Sequence, residues 1–188
     1  MFDALATMDL PWPNVQLFQV DERVAPDGDV DRNAVQLQTH LIERVPLRVA
    51  NVHLMPVTGK SLQRAAAAYG ARISTAPLDI VHLGIGDDGH TASWPPGDPV
   101  IDAPGAVAIS DVFNGRVRMT VTPAVVGAAR ARMVLAVGGG KAAPLADWVL
   151  HRADLPVQRV RRTGTTWILD EAAASGLGER EQAAGRLR

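Results

Sequence analysis

Leu78–Gly97 reads LDIVHLGIGDDGHTASWPPG, a strand-like apolar run that breaks into a glycine-rich polar loop. Asp79–Ile85 is almost continuously apolar, which predicts a strand buried on both faces, as in a parallel sheet. Working outward, similar runs stand at Val15–Val20, Val52–Val57, Ala106–Ile109, Val117–Thr122, Met133–Val137 and Thr165–Leu169. Helical spacing lies between them. Val35, Leu37, Leu41, Ile42 and Val45 keep a period near 3.6 behind Asp31 or Asn33 as cap. Ser61–Arg72 is alanine-rich, and Lys141–His151 follows a glycine turn. Alternating strands and helices predict an α/β fold: one Rossmann-like parallel sheet sandwiched by helices in three layers, α/β/α. No repeat or long linker divides residues 1–175, so a single domain is expected there. Residues 176–188 are charged, lack apolar periodicity and are expected to fray.

Composition narrows the function. The 188 residues are 47% apolar, enough for a real core without staples, and contain no cysteine. Disulfides, thiolate metal sites and a cysteine nucleophile are therefore excluded. A net charge of -1 gives no basic field for nucleic acid or an anionic membrane. No apolar run approaches the roughly 20 residues that span a bilayer. The opening MFDALATMDLPWP carries acids where a secretory signal needs lysine or arginine. The expectation is a cytoplasmic protein whose partner is a small molecule.

In open parallel sheets ligands bind beyond the carboxyl ends of the strands, and the unusual polar residues fall there. Asp21-Glu22-Arg23 follows the first run, Gly86–Ser93 follows the decisive one, and Gly138-Gly139-Gly140-Lys141 follows Met133–Val137. Arg118 and Thr120 alternate with apolar neighbours and so share a face. A triplet of charges after a strand is ordinarily a solvated loop. His40, His53 and His151 read as surface or filler, but His90 lies among glycines and small hydroxyl residues with nothing to pack against. Lys141 at a helix start opposes the helix dipole, so a local reason for it is wanted. Converging on one rim, these groups suit an anionic polar substrate and one proton transfer.

Two nucleotide-like patterns fail on inspection. Gly84–Gly89 matches G-x-G-x-x-G, but two aspartates would face the pyrophosphate, and Pro95 and Pro96 would stop the required helix. Gly59-Lys60-Ser61 resembles the end of a phosphate loop, yet Leu54 occupies the position of its first glycine; Ser61 is better read as a helix cap. Asp87, Asp88 and His90 are consecutive enough that their side chains diverge, so no metal and no cofactor is implied.

Leu78–Gly97 resembles the signature of the 6-phosphogluconolactonases, roughly fDlvlLGmGxDGHTASLFPG. VQLFQVDERVAP (Val15–Pro26), Asn33, RMTVT, VLAVGGGKAAPL and TGTTWILDEAA resemble further segments of that family in the same order, from about Leu10 to Ala173. The related glucosamine-6-phosphate deaminases share the DGH but continue differently; Thr91-Ala92-Ser93 favours the lactonases. The resemblance implies hydrolysis of 6-phospho-D-glucono-1,5-lactone to 6-phosphogluconate in the pentose phosphate pathway, by a cytoplasmic monomer without cofactor. An exposed sheet edge is where a dimer would form. The implied roles are His90 as general base on water, Asp88 or Asp21 orienting it, and Arg23, Gly86, Gly89, Thr91, Arg118 and Lys141 binding substrate. Arg118 and Lys141 are implied on the phosphate.

The resemblance has departures. Trp94 and Pro95 stand where the family has leucine and phenylalanine. The family also carries an earlier βα unit with a Gly-Gly-Ser/Thr phosphate loop, which nothing in residues 1–14 replaces. At about 1.5–3 kcal/mol per charge-assisted bond, two lost N–H donors would weaken affinity more than a hundredfold. The expectation is thus a lactonase, against an inactive or weakened sugar-phosphate binder or an isomerase or deaminase of the same fold group.

Overall fold

The computed structural model describes residues 1–152 and 154–178. Strands β1 (Leu17–Phe18), β2 (Asp21–Arg23), β3 (Val52–His53), β4 (Ile80–Gly84), β5 (Val107–Ile109), β6 (Arg118–Val121), β7 (Ala131–Ala136) and β8 (Thr165–Leu169) alternate with helices. These are α1 (Phe2–Leu5), α2 (Asn33–His40), α3 (Leu62–Ile73), α4 (Pro123–Ala128), α5 (Ala142–Leu150) and α6 (Glu171–Ala174). The fold is mixed α/β with parallel sheets flanked by helices, as expected.

The single sheet is not. Hydrogen bonding divides the strands among three small sheets: β1 with β3 in parallel, β4-β7-β8 in parallel, and β2-β6-β5 antiparallel. Antiparallel β2 runs Asp21 against Thr120, Glu22 against Met119 and Arg23 against Arg118. The charged triplet is therefore itself a strand and not a loop at a strand's end. The reason lies in Glu22, which is completely buried. Its carboxylate accepts the backbone N–H groups of Arg23 (2.8 Å), Asn33 (2.7 Å) and Ala34 (2.8 Å), and the Gln19 side-chain amide (3.0 Å). Arg32 Nε lies 3.5 Å away, an ion pair without hydrogen-bond alignment. Glu22 thus caps α2, taking the role expected of Asp31 or Asn33; a carboxylate also suits the positive end of the helix dipole.

Nor is the decisive strand buried on both faces as expected; only one face is. Val81 and Leu83 are buried, but Ile80 is 64% exposed and His82 is half-buried. β7 lies on one edge of β4, and a groove lined by Val20, Asp21 and His82–Gly84 opens beside its end. The main core joins Val81, Leu83, Met119, Val121, Val134 and fully buried Trp94. Ser61 does cap α3, its hydroxyl accepting from Arg64 N–H. No helix starts directly after Gly89, consistent with the failed dinucleotide pattern; the chain turns instead and next forms a short 3-10 segment at Pro99–Asp102. The expected tail begins at residue 176. Leu177 already packs against Leu145 and Ala146, and residues 179–188 lie outside the described residues. Among the described residues, no helix is long and apolar enough to cross a membrane.

Candidate active site

β4 ends at Gly84, and the loop beyond it folds back at once. Gly86 N–H donates to His90 C=O (2.8 Å), and Gly89 N–H donates to Gly86 C=O (3.0 Å). Gly89 adopts a left-handed conformation at the turn, φ +81°. Thr91 Oγ1 donates to Gly84 C=O (2.7 Å), Ser93 N–H to Thr120 Oγ1 (3.2 Å) and Trp94 Nε1 to Val121 C=O (2.7 Å). The histidine loop is thereby fastened both to its own strand and to β6. Trp94, where the family pattern has leucine, is an anchor: its indole is wholly buried and its one donor is satisfied.

This framing presents His90 beside Asp88. The imidazole Nδ1 lies 2.5 Å from Asp88 Oδ1, which also accepts the His90 backbone N–H at 3.1 Å. Burial pushes the Asp88 carboxyl up, but these hydrogen bonds and the imidazole charge outweigh it and hold it below the ordinary carboxylate value. An ionised Asp88 takes Nδ1–H and leaves the Nε2 lone pair available. Asp88, not Asp21, is the partner of His90. The fit depends on Gly86: a Cβ there would stand 2.0 Å from Nδ1 and 2.6 Å from Asp88 Oδ1.

Asp21 lies across the groove, accepting from Ser93 Oγ (2.6 Å) and Asn33 Nδ2 (3.2 Å). Burial raises its carboxyl above the ordinary value, more than Ser93, Arg118 and Arg23 lower it. The groove, about 290 Å³, is lined by Val20, Asp21, the end of β4 from His82 to Gly84, Ile85, and His90–Ala92. A larger hollow of about 630 Å³ between α3 and β5 is lined by small and apolar residues with Gln63 and Ser74, and contains no titratable side chain.

Three cations surround this end of the molecule, differently engaged. Arg23 Nη1 donates to Asp31 C=O and Asn33 Oδ1, both at 2.7 Å. Lys141 pairs with Asp87, whose carboxylate is packed so tightly on Gly140 that a Cβ there would meet it at 2.9 Å. Asp87 is the local reason for a lysine at the start of α5. Asp170 holds the same turn from behind, accepting Gly138 N–H at 3.0 Å. Arg118 is different. It is 6% exposed, its guanidinium has no hydrogen-bond or ion-pair partner among the described residues, and its Nε is sealed from water. Burial lowers its pKa, Arg23 directly across the ladder adds to this, and the nearby Asp21 carboxyl offsets only part of it. Like charges opposite one another disfavour the pairing, so an anion beside them is favoured.

Of the expected site residues, then, His90, Asp88, Gly86, Gly89 and Thr91 form one loop, and Asp21 faces it. Lys141 joins that loop through Asp87. Arg23 is tied to the segment before α2, and the Thr91 hydroxyl is committed to β4. Sequence reading missed Phe113, whose ring centre lies 5.0 Å from that of His90 and 5.1 Å from the Arg118 guanidinium carbon. The Asn114-Gly115 pair, a hairpin-turn signal, marked that position.

The description "Glucosamine-6-phosphate isomerases/6-phosphogluconolactonase" belongs to the family model that matches residues 1–168. The chain belongs to this family. It is 32% identical to the 6-phosphogluconolactonase of Streptomyces coelicolor over 89% of its own length and 72% of that protein's. The Nostoc enzyme of the same name is 30% identical, over 94% and 79%. The crystal structure of Thermotoga maritima 6-phosphogluconolactonase superposes with a TM-score of 0.82 at 26% identity, over 89% of this chain and 78% of that one. A monomeric glucosamine-6-phosphate deaminase shares the fold at TM-score 0.80 and 16% identity. The family description names both activities, and the two curated relatives are 6-phosphogluconolactonases.

Proposed function

We propose that the chain hydrolyses 6-phospho-D-glucono-1,5-lactone to 6-phosphogluconate. The observation behind this is the Asp88–His90 pair: an oriented imidazole on a groove, beside a buried arginine whose guanidinium makes no hydrogen bond or ion pair among the described residues. In the proposed reaction His90 Nε2 takes a proton from water as its oxygen attacks the lactone C1. The tetrahedral intermediate collapses with cleavage of the bond from C1 to the ring oxygen, and the imidazolium returns its proton to that oxygen. A lactone is an activated ester, so base catalysis suffices, typically worth about 10²–10⁴-fold. Asp88 holds the imidazole tautomer and stabilises its cation. Arg118 and Lys141 receive the phosphate, with Arg23 behind them, and the turn of Gly86, Gly89 and Thr91 borders the sugar. The groove's volume sits at the small end of ligand pockets, roughly 300 Å³ and above, and suits one sugar ring. The proposal carries with it a cytoplasmic monomer.

The test compares initial rates on the phosphorylated lactone and on glucono-1,5-lactone, with the spontaneous rate subtracted. The proposal expects kcat/KM to favour the phosphorylated lactone by at least tenfold. Equal rates, or ammonia release from glucosamine 6-phosphate instead, would overturn it.

A further inference from the structure

Phe113 stands on the β5–β6 hairpin, where Phe113 and Arg116 pair across an Asn114-Gly115 turn. Both turn residues have positive φ, 48° and 78°, the geometry that matches strand twist in a two-residue loop. The tip is moored: Arg116 donates to Asp29 (3.1 Å) and Asp31 (2.9 Å) in the segment before α2. From this anchored position the Phe113 ring meets His90 edge-on, with planes at 74°, and lies under the Arg118 guanidinium.

We propose that Phe113 is a positioning residue that holds the His90 base and the Arg118 cation by their π surfaces, leaving their polar atoms free. The inference rests on the functional reading above. A carboxylate could fix Arg118, but it would neutralise the charge and occupy the N–H donors an incoming phosphate needs. A second hydrogen bond could fix His90, but it would occupy Nε2. An aromatic ring does neither: its face attracts the guanidinium, and its contact with the imidazole limits ring rotation while Nδ1 stays on Asp88. It also keeps the two groups close, each about 5 Å from one ring centre.

Phe113 is half-buried at a hairpin tip, so its substitution leaves the core untouched. The experiment compares Phe113→Leu and Phe113→Tyr with the unaltered protein on the phosphorylated and unphosphorylated lactones. Phe113→Leu is expected to raise KM for the phosphorylated lactone about three- to tenfold and to lower kcat severalfold on both substrates. KM for the unphosphorylated lactone should stay unchanged, since it makes no demand on Arg118. Phe113→Tyr keeps the ring and should restore KM to within twofold. Wild-type behaviour of Phe113→Leu, an equal KM rise on both lactones, or failure of the tyrosine to rescue would each overturn the proposal. Should the unaltered protein show no hydrolysis, the functional reading fails separately. The same variants are then titrated calorimetrically with 6-phosphogluconate. Weaker binding by the leucine variant and recovery by the tyrosine variant would uphold the role of Phe113, and equal or absent binding would end it.

Discussion

Gly86→Ala places one methyl group into the Asp88–His90 pair. Gly86 is not in the left-handed region, so alanine is not strained by its backbone; the whole effect comes from the added carbon. That carbon would lie 2.0 Å from His90 Nδ1, 2.2 Å from Cε1 and 2.6 Å from Asp88 Oδ1. Ordinary carbon contacts begin near 3.5 Å, so the imidazole must retreat by about 1.5 Å. Asp88 cannot follow freely, because its Oδ1 also holds the His90 backbone N–H. A displacement of about 1 Å can cost about a hundredfold, and complete loss of a general base about 10²–10⁴-fold. The expected fall in kcat is therefore about 10²–10³-fold. Stability should change by less than about 1 kcal/mol, since both partners are partly exposed and water replaces the lost bond. The assay pairs steady-state hydrolysis of the phosphorylated lactone with a thermal melt and far-ultraviolet circular dichroism. A folded Gly86→Ala protein with kcat within threefold of wild type would refute the reasoning about both the loop and the base.

Two further predictions concern the framework. Glu22→Gln removes a buried charge that caps α2 and faces Arg32, and should lower the unfolding free energy by about 2–4 kcal/mol in urea titrations. The pH dependence follows from Asp21, whose folded pKa is raised by burial. Between the ordinary carboxylate value and this raised one the folded state holds the extra proton, so the Asp21 contribution to stability declines as pH rises through that window. Asp21→Asn should flatten that decline in denaturation free energies measured from pH 4 to 8. An unchanged slope would contradict the assignment.

Much of this was legible in the sequence because the informative residues are local. Asp79–Ile85, Met133–Val137 and Thr165–Leu169 announce strands by apolar continuity; Ser61 announces a helix start, and His90 stands out because its neighbours offer no packing. What escaped depends on partners distant in the chain. Asp21-Glu22-Arg23 looks like solvated loop until the α2 amides, eleven and twelve residues on, supply a reason to bury Glu22. The antiparallel pairing of β2 with β6 joins residues about a hundred positions apart, beyond the reach of periodicity. The pairing of Lys141 with Asp87, fifty-four residues earlier, is likewise out of reach of local reading. Phe113 reads as an ordinary apolar residue; only the fold shows that its ring touches both the imidazole and the guanidinium.

Hydrolysis by this mechanism needs the His90 imidazole, and His90→Asn removes it with least disturbance to shape. With the spontaneous rate subtracted, the variant should retain the wild-type melting temperature and lose at least a hundredfold in kcat on 6-phospho-D-glucono-1,5-lactone. A His90→Asn protein that hydrolyses the lactone at the wild-type rate would contradict it.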